Sequence, residues 1–254
     1  MMRTIDSITD WQTLRKSPIF ENKSVGFVPT MGALHEGHGS LLRRSRQAHD
    51  ISVLSIFVNP TQFNDPNDLL HYPRDLKRDL DIAKACGTDF VFLPKAEEIY
   101  LDKFRFNIIE TELANRLCGT HRPGHFIGVL SVVMKLFNLI RPHKSYFGEK
   151  DYQQYLLVKG MVDAFFMNLE IVCCPTIRAE DGLALSSRNA LLSAEERQKS
   201  RLFPYHLRSA NKLEQIRQEL ENVGFSVDYL EEFEGRRLGA VRIGKVRLID
   251  NVKI

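Results

Sequence analysis

Short apolar runs of strand length alternate with stretches of helical period along the first two thirds of the chain. Runs that predict buried strands lie at residues 25–28, 51–58, 89–93 and 169–174. Helices are predicted at residues 11–16, 41–48, 75–86, 126–141 and 151–167, with a further strand at 105–110 and a short helix at 111–118. Strands and helices that alternate through short connections favour an α/β fold with a parallel, doubly wound sheet.

The alternation of buried strands and helices ends after Pro175. A polar turn leads into a charged helical segment at residues 193–221, and two hairpin strands are predicted at 227–230 and 240–248. We therefore expect two domains, one of residues 1–175 that carries the parallel sheet and a smaller α+β domain of residues 176–254.

The first strand of the predicted sheet runs into the most informative stretch of the chain. Pro29 ends the strand, Gly32 lies in a turn, and a helical pattern begins after His35 and His38. The free N–H groups and the positive dipole at such a helix N-terminus bind anions. Two imidazoles three positions apart share one side of a helical turn, so both can face the same phosphate. A structural role for either histidine remains an alternative, and a metal site lacks an obvious third ligand.

Three further polar clusters follow predicted strands or loops. Gln62 offers one acceptor and two donors, Lys150 lies in a glycine-led turn, and Arg188 follows Ser186 and Ser187 as a phosphate clamp. Each cluster taken alone is also typical of a solvated surface loop. Together the clusters suit a polyphosphate and a second ligand, and they favour phosphoryl or nucleotidyl transfer.

Composition and charge narrow the class of protein. The 254 residues include 35 basic and 32 acidic side chains, a net charge of +3, which does not indicate a nucleic-acid partner. No secretion signal and no apolar run long enough to span a bilayer is recognised, so we expect a cytoplasmic protein without a membrane partner. The four cysteines lack Cys-x-x-Cys spacing and indicate neither a zinc site nor a disulfide framework.

Seven motifs in order resemble the pantothenate synthetase (pantoate–β-alanine ligase) family: PTMGALHEGH, FVNPTQF, YPR, RPGHFIGV, FGEKDYQQ, DGLALSSRN and RLIDN. The resemblance implies a Rossmann-like catalytic domain of the nucleotidyltransferase superfamily and a homodimer. It implies ATP-dependent condensation of (R)-pantoate with β-alanine through a pantoyl adenylate, releasing AMP and pyrophosphate. Mg²⁺ is expected to arrive with ATP, and no protein metal ligand is implied.

The resemblance also assigns residues. His38 matches the proton donor of the family, and His35, Lys150 and Arg188 join it around the phosphates. The implied ATP-binding residues are Met31, Gly32, Ala33, Leu34, His35, Glu36, Gly37, His38, Gly148, Glu149, Lys150, Asp151, Ile177, Leu185, Ser186, Ser187 and Arg188. Gln62 and Gln154 match the pantoate contacts, and Gln62 also lies near β-alanine.

The chain departs from the family pattern in three places. Gly39 replaces a large apolar residue, Thr61 replaces a methionine, and the carboxyl-terminal part is short. Two other functions stay open on the sequence: an adenylyl transferase of the same superfamily with another product, and a nucleotide sensor without turnover.

Overall fold

The parallel sheet predicted from the sequence forms the larger part of the molecule. A computed structural model describes residues 2–254. The strands are β1 (Arg3–Ile5), β2 (Val25–Thr30), β3 (Ile51–Ile56), β4 (Phe90–Phe92), β5 (Lys144–Gly148), β6 (Glu170–Cys174), β7 (Ser226–Phe233), β8 (Arg236–Ile243) and β9 (Val246–Lys253). The helices are α1 (Ile8–Arg15), α2 (Glu36–Ala48), α3 (Pro66–Leu70), α4 (Leu76–Ala85), α5 (Ala96–Ile99), α6 (Cys118–His121), α7 (His125–Ile140), α8 (Tyr152–Ala164), α9 (Ala194–Ser200), α10 (Leu202–Leu207) and α11 (Leu213–Asn222).

The first six strands pair in parallel in the order β1-β4-β3-β2-β5-β6. The chain winds outward in one direction from β2 to β4 and in the other from β5 to β6, so the order reverses between β2 and β5. In open parallel sheets of this kind, ligands bind beyond the carboxyl ends of the strands at the reversal point. This topology confirms the predicted fold class. It indicates that a ligand would bind at the loops after β2 and β5.

Helix α7 is the apolar centre of this layer. Most of its side chains are buried all round the helix, as the nearly continuous apolar sequence of residues 126–140 predicts. Gly128 lets the helix approach the loop after β3, because an added Cβ would lie only 2.5 Å from the carbonyl oxygen of Thr61. The close packing fixes the position of that loop, which carries Gln62.

The carboxyl-terminal part forms a separate antiparallel sheet in the order β7-β8-β9. One face packs on α10 and α11 around Phe203, Leu207 and Ile216. On the other side, Tyr229 and Leu238 join the core cluster of the parallel sheet. The small sheet is therefore packed against the larger layer.

Several predicted elements need correction. Residues 105–110 form no strand and pair with none within residues 2–254, and the predicted helix at 111–118 is a single 3₁₀ turn at Leu113–Asn115. The segment 193–221 contains three helices instead of one, and 240–248 spans the turn between β8 and β9. The short strand β1 was not predicted. Between residues 2 and 254, none of the helices combines the length and the apolar character that crossing a bilayer requires.

Candidate active site

A cavity of about 220 Å³ opens at the carboxyl ends of β2 and β5. Most of the residues singled out in the sequence line it: Met31, His35, Gly37, His38, Gln62, Gly148, Lys150, Asp151, Gln154, Ile177, Leu185, Ser186, Ser187 and Arg188. Lys150 and Arg188 thus lie on the same cavity as the two histidines, although they come from distant parts of the chain. The fold brings the predicted clusters together at the reversal point of the sheet.

The two histidines cap the N-terminus of α2. The backbone N–H of Gly37 donates to Nδ1 of His35 over 3.1 Å, and the backbone N–H of His35 donates to Nδ1 of His38 over 3.3 Å. Because each Nδ1 accepts a hydrogen bond, each neutral ring carries its proton on Nε2. The ring centroids lie 4.1 Å apart, so two N–H donors stand side by side at the positive end of the helix.

The surroundings of the pair favour the neutral form. Burial, reinforced by the nearby Lys150 ammonium, lowers the pKa of His35 to about 4. Burial, followed by the neighbouring His35 and Lys150, lowers the pKa of His38 well below its usual value. Both rings are therefore hydrogen-bond donors, not cations, in the protein without an anionic ligand.

Asp79 of α4 holds the turn that leads to the histidines. Its carboxylate accepts the N–H of Ala33 over 2.9 Å and the N–H of Leu34 over 2.6 Å. The turn needs this support because Gly32 and Ala33 both have positive φ, 81° and 50°. Burial raises the pKa of Asp79, and the two N–H donors act in the opposite direction.

Gln62 is oriented by a buried amide. Asn59 donates through Nδ2 to Oε1 of Gln62 and to the carbonyl oxygen of Gly128. Its own Oδ1 accepts from the hydroxyls of Tyr100, over 2.6 Å, and Thr61, over 3.0 Å. The amide nitrogen of Gln62 consequently points toward Met31 in the cavity.

The turn that carries Lys150 is held by the carboxyl-terminal sheet. Asn251 of β9 donates through Nδ2 to the carbonyl oxygens of Glu149, over 2.8 Å, and Lys150, over 3.0 Å. Arg236 of β8 pairs with Glu149. Lys150 itself lies 3.6 Å from the carboxylate of Asp151.

Arg188 reaches the cavity from the segment after β6. It pairs with Asp68 of α3 at 2.7 Å, and its guanidinium lies over the ring of Tyr72. The hydroxyl of Ser187 donates to the carbonyl oxygen of Ala33 over 3.2 Å. The Ser187 bond joins the serine–arginine segment to the histidine loop, and the Arg188 contacts join it to Asp68 and Tyr72.

Five predicted ATP-binding residues do not line the cavity: Gly32, Ala33, Leu34, Glu36 and Glu149. The first three form the turn beneath it, and the carboxylates of Glu36 and Glu149 pair with Arg43 and Arg236. The sequence reasoning missed Asn59, Tyr72 and Asp79. Asn59 and Tyr72 do occur in motifs quoted above, whereas Asp79 lies inside an amphipathic helix and gives no signal of its own.

The departures at Gly39 and Thr61 have local explanations. A Cβ at Gly39 would lie 3.2 Å from the side chains of both Arg43 and Glu36, so their ion pair occupies the space of a larger residue. Thr61 contributes a hydroxyl to the network around Asn59. Neither change removes a polar group from the cavity.

Comparison with known proteins gives one consistent result. The family model described as pantoate-beta-alanine ligase matches residues 1–253. A pantothenate synthetase of Bdellovibrio bacteriovorus is 49% identical over 254 residues, which is 100% of both chains. One of Legionella pneumophila is 48% identical over 250 residues, covering 98% of this chain and 99% of its own.

Solved structures agree. Pantoate-beta-alanine ligase from Francisella tularensis, complexed with beta-gamma ATP and beta-alanine, superposes with a TM-score of 0.95 at 42% identity, covering 100% of this chain and 98% of its own. Pantothenate synthetase from Thermus thermophilus gives 0.89 at 38% identity, with 99% of each chain covered. With matches of this length and identity, the chain belongs to the pantoate-beta-alanine ligase family.

Proposed function

We propose that the protein condenses pantoate with β-alanine at the expense of ATP, through a pantoyl adenylate. In the first step a carboxylate oxygen of pantoate bonds to the α-phosphorus, and the bond from that phosphorus to the bridging oxygen breaks to release pyrophosphate. In the second step the amine of β-alanine bonds to the acyl carbon. The bond from that carbon to the AMP oxygen breaks, and the amine proton passes to solvent.

One observation carries this proposal: the histidine pair, Lys150, Arg188 and the two glutamines line a single cavity at the sheet reversal. Family membership supplies the substrates, and the Francisella tularensis relative was crystallised with an ATP ligand and β-alanine. Cationic and N–H donors suit the phosphates, while the amides of Gln62 and Gln154 suit the hydroxyl groups of pantoate.

The donors act on the charge that develops during the first step. Nε2–H groups of His35 and His38 donate to non-bridging oxygens of the α- and β-phosphates, and Lys150 neutralises the departing pyrophosphate. Arg188 binds the outer phosphates once its guanidinium turns from Asp68 toward the ligand. Donors fixed before the reaction lower the barrier, because no reorganisation is needed in the transition state.

Mg²⁺ enters with ATP in this proposal. Within residues 2–254, no three or more His, Cys, Asp or Glu side chains gather as a metal site. Mg²⁺ on ATP needs no such cage, since phosphate and water oxygens supply most of its octahedral shell. Asp151, which lines the cavity, would accept a hydrogen bond from a water of that ion. The ion would supply electrostatic stabilisation of the leaving pyrophosphate.

We assign residues 1–175 to the catalytic domain and 176–254 to a smaller domain that covers it. The hydrogen bonds from Ser187 to Ala33 and from Asn251 to the Lys150 turn support a covering role for the smaller domain, because they join it to the loops of the cavity. An acyl adenylate hydrolyses readily, so a cover that excludes water protects it until the amine arrives.

A two-part assay with His38→Asn tests the function. Asparagine keeps an acceptor near the position of Nδ1 and loses the Nε2–H donor. We expect pantoate-dependent exchange of labelled pyrophosphate into ATP in the wild type, and AMP release only when β-alanine is added. His38→Asn should lower the exchange rate roughly 10²- to 10³-fold, the usual loss for one such donor.

The same assay distinguishes the proposed function from an adenylyl transferase with another product and from a nucleotide sensor. A dinucleotide product without AMP release would establish a different adenylyl transferase. Binding of ATP without exchange would establish a sensor. His71→Asn, at an exposed histidine, is the control and should leave both rates unchanged.

We further propose a cytoplasmic homodimer that forms through residues 101–109. Phe106 is 71% exposed and Ile109 is 64% exposed, and Leu101 and Phe104 of the same segment are also exposed. The N–H groups of Phe106 and Ile108 bond within the chain, whereas in residues 2–254 no acceptor meets those of Asn107 and Ile109. A segment with exposed apolar side chains and N–H groups that have no acceptor suits pairing with a second copy.

A further inference from the structure

Arg122, in the loop before α7, is a partly buried cation without a carboxylate partner. Its Nη2 donates to the carbonyl oxygen of Gln62 over 2.9 Å, and its Nη1 donates to Nε2 of His125 over 3.1 Å. No Asp or Glu in residues 2–254 forms an ion pair with it. The two nearby arginines differ, since Arg188 pairs with Asp68 and Arg247 pairs with Asp228.

His125 fixes the orientation of this guanidinium. Its Nδ1 lies 2.8 Å from the carbonyl oxygen of Gln62 and donates to it, which leaves the Nε2 lone pair to accept from Arg122. Burial, and then the charge of Arg122, lowers the pKa of His125 to about 3, so the ring stays neutral. Two of the five guanidinium N–H groups are bound in this way, and three remain for a ligand.

The position of Arg122 separates it from the triphosphate donors. It does not line the cavity that holds His35 and His38. It lines an adjoining cleft of about 840 Å³ that shares Lys150, Asp151 and Arg188 with that cavity, and a smaller pocket that shares Gln154. Gln62 connects the two regions, because its side chain faces the cavity while its carbonyl oxygen faces Arg122.

The proposed reaction involves three kinds of anion that could use this group. The triphosphate has its own donors at α2. The carboxylate of pantoate attacks phosphorus and must be free to react. The carboxylate of β-alanine takes no part in either step, and only two carbons separate it from the amine. The guanidinium of Arg122 bonds to the backbone of Gln62, whose side chain lines the reaction cavity, so an anchor for this carboxylate would lie beside that cavity.

We infer that Arg122, held by His125, binds the carboxylate of β-alanine and aims its amine across Gln62 at the acyl carbon of the adenylate. The inference rests on the proposed function and adds to it a residue that selects the nucleophile. A guanidinium donates two parallel N–H bonds to a carboxylate, so amines without that group lose the anchor.

Kinetics of the two half-reactions test the inference, using Arg122→Gln and the nucleophiles β-alanine and n-propylamine. Propylamine has a methyl group where β-alanine has its carboxylate. For Arg122→Gln we expect the KM for β-alanine to rise roughly 30- to 100-fold, the loss typical of a charged hydrogen-bonded pair. The pantoate-dependent exchange rate and kcat/KM for propylamine should both stay within about twofold of wild type, which a merely structural defect would not allow.

Arg122→Lys retains the charge and is expected to recover part of the β-alanine affinity. Arg242→Gln is the matched control, because Arg242 is an exposed arginine on the same cleft. An unchanged KM for β-alanine in Arg122→Gln overturns the inference, as does loss of exchange in both Arg122 variants. A raised KM for pyrophosphate in the exchange reaction would assign Arg122 to pyrophosphate instead. Absence of exchange in the wild type counts against the proposed function itself.

Discussion

Nδ2 of Asn59 lies 3.1 Å from Oε1 of Gln62, and this hydrogen bond decides which end of the glutamine amide faces the cavity. Asn59 is 1% exposed, and its Oδ1 is occupied by the hydroxyls of Tyr100 and Thr61, so it cannot flip without losing bonds. The donor end of Gln62 is therefore presented to the ligand.

Removing the tyrosine hydroxyl should loosen this arrangement. For Tyr100→Phe we expect the KM for pantoate to rise about three- to tenfold, equivalent to one neutral hydrogen bond, with little change in kcat of the exchange reaction. Thr61→Val should give a smaller change in the same direction. Tyr205→Phe, at an exposed tyrosine, is the control. A large loss of kcat with an unchanged KM would argue against a positioning role for Tyr100.

The pH dependence of ATP use follows from the neutral histidines. Because the pKa of His35 is about 4 and that of His38 is lower than usual, neither ring gains a proton in the free protein near neutral pH. We expect kcat/KM for ATP, corrected for the ionisation of ATP, to stay level between about pH 8 and 5.5. A decline centred near the ordinary histidine pKa that disappears in His35→Asn would refute this expectation.

Asp79→Asn should weaken the histidine loop. The side chain of asparagine has one oxygen to accept from the N–H groups of Ala33 and Leu34. Its NH₂ group would face the other N–H, and two donors cannot bond to each other. We expect the free energy of unfolding to fall by about 1–3 kcal/mol and the KM for ATP to rise. Chemical denaturation and the exchange assay measure the two effects. Asp81→Asn, an exposed position on the same helix, should change neither quantity.

Acid should destabilise the fold through His125. Its pKa is about 3 in the folded protein and near 6.5 when unfolded, so above pH 6.5 it contributes nothing to the pH dependence. As the pH falls below 6.5, the unfolded state binds a proton that the folded state does not. Stability therefore declines by up to about 1.4 kcal/mol per pH unit for this residue.

Urea titrations across this range measure that slope. His125→Gln is expected to be less stable at neutral pH, because one amide group cannot bond to both Arg122 and the Gln62 carbonyl oxygen from the positions of the two ring nitrogens, but to lose less stability on acidification. The comparison protein is His71→Gln. An identical slope in wild type and His125→Gln would show that His125 is not responsible.

The proposed dimer predicts a change of mass. Replacing Phe106 and Ile109 together by serine should convert a dimer into a monomer in sedimentation or light-scattering experiments, because the apolar contact is lost. Replacement of Phe166, which is 94% exposed elsewhere on the surface, is the control. A wild-type protein that stays monomeric at high concentration would contradict the proposal.

Much of the fold can be predicted from the sequence, because strands of a parallel sheet are covered on both faces and are therefore apolar throughout. The runs that became β2 and β3 are such segments, and the chemical groups follow them directly. Residues 105–110 have the composition of a strand, but a strand also needs a partner, and within residues 2–254 none pairs with them. The turn at Gly244 is only two residues long, so β8 and β9 merged into one predicted strand.

The supporting residues of the site are less predictable, since their partners are far away in the chain. Asp79 meets Ala33 and Leu34 across 45 or more positions, and nothing in an amphipathic helix marks such a carboxylate. Arg122 occurs in a motif quoted for the family, but only the structure shows that it lacks a carboxylate partner. Local patterns therefore located the reacting groups, and tertiary contacts revealed what holds them.

The bond from Asn251 to the Lys150 turn has a consequence for biosynthesis. Strand β9 follows every other described element, so the ribosome makes all six strands of the parallel sheet before it makes β9. Until β9 is made, the turn that carries Lys150 lacks the two hydrogen bonds that Asn251 donates.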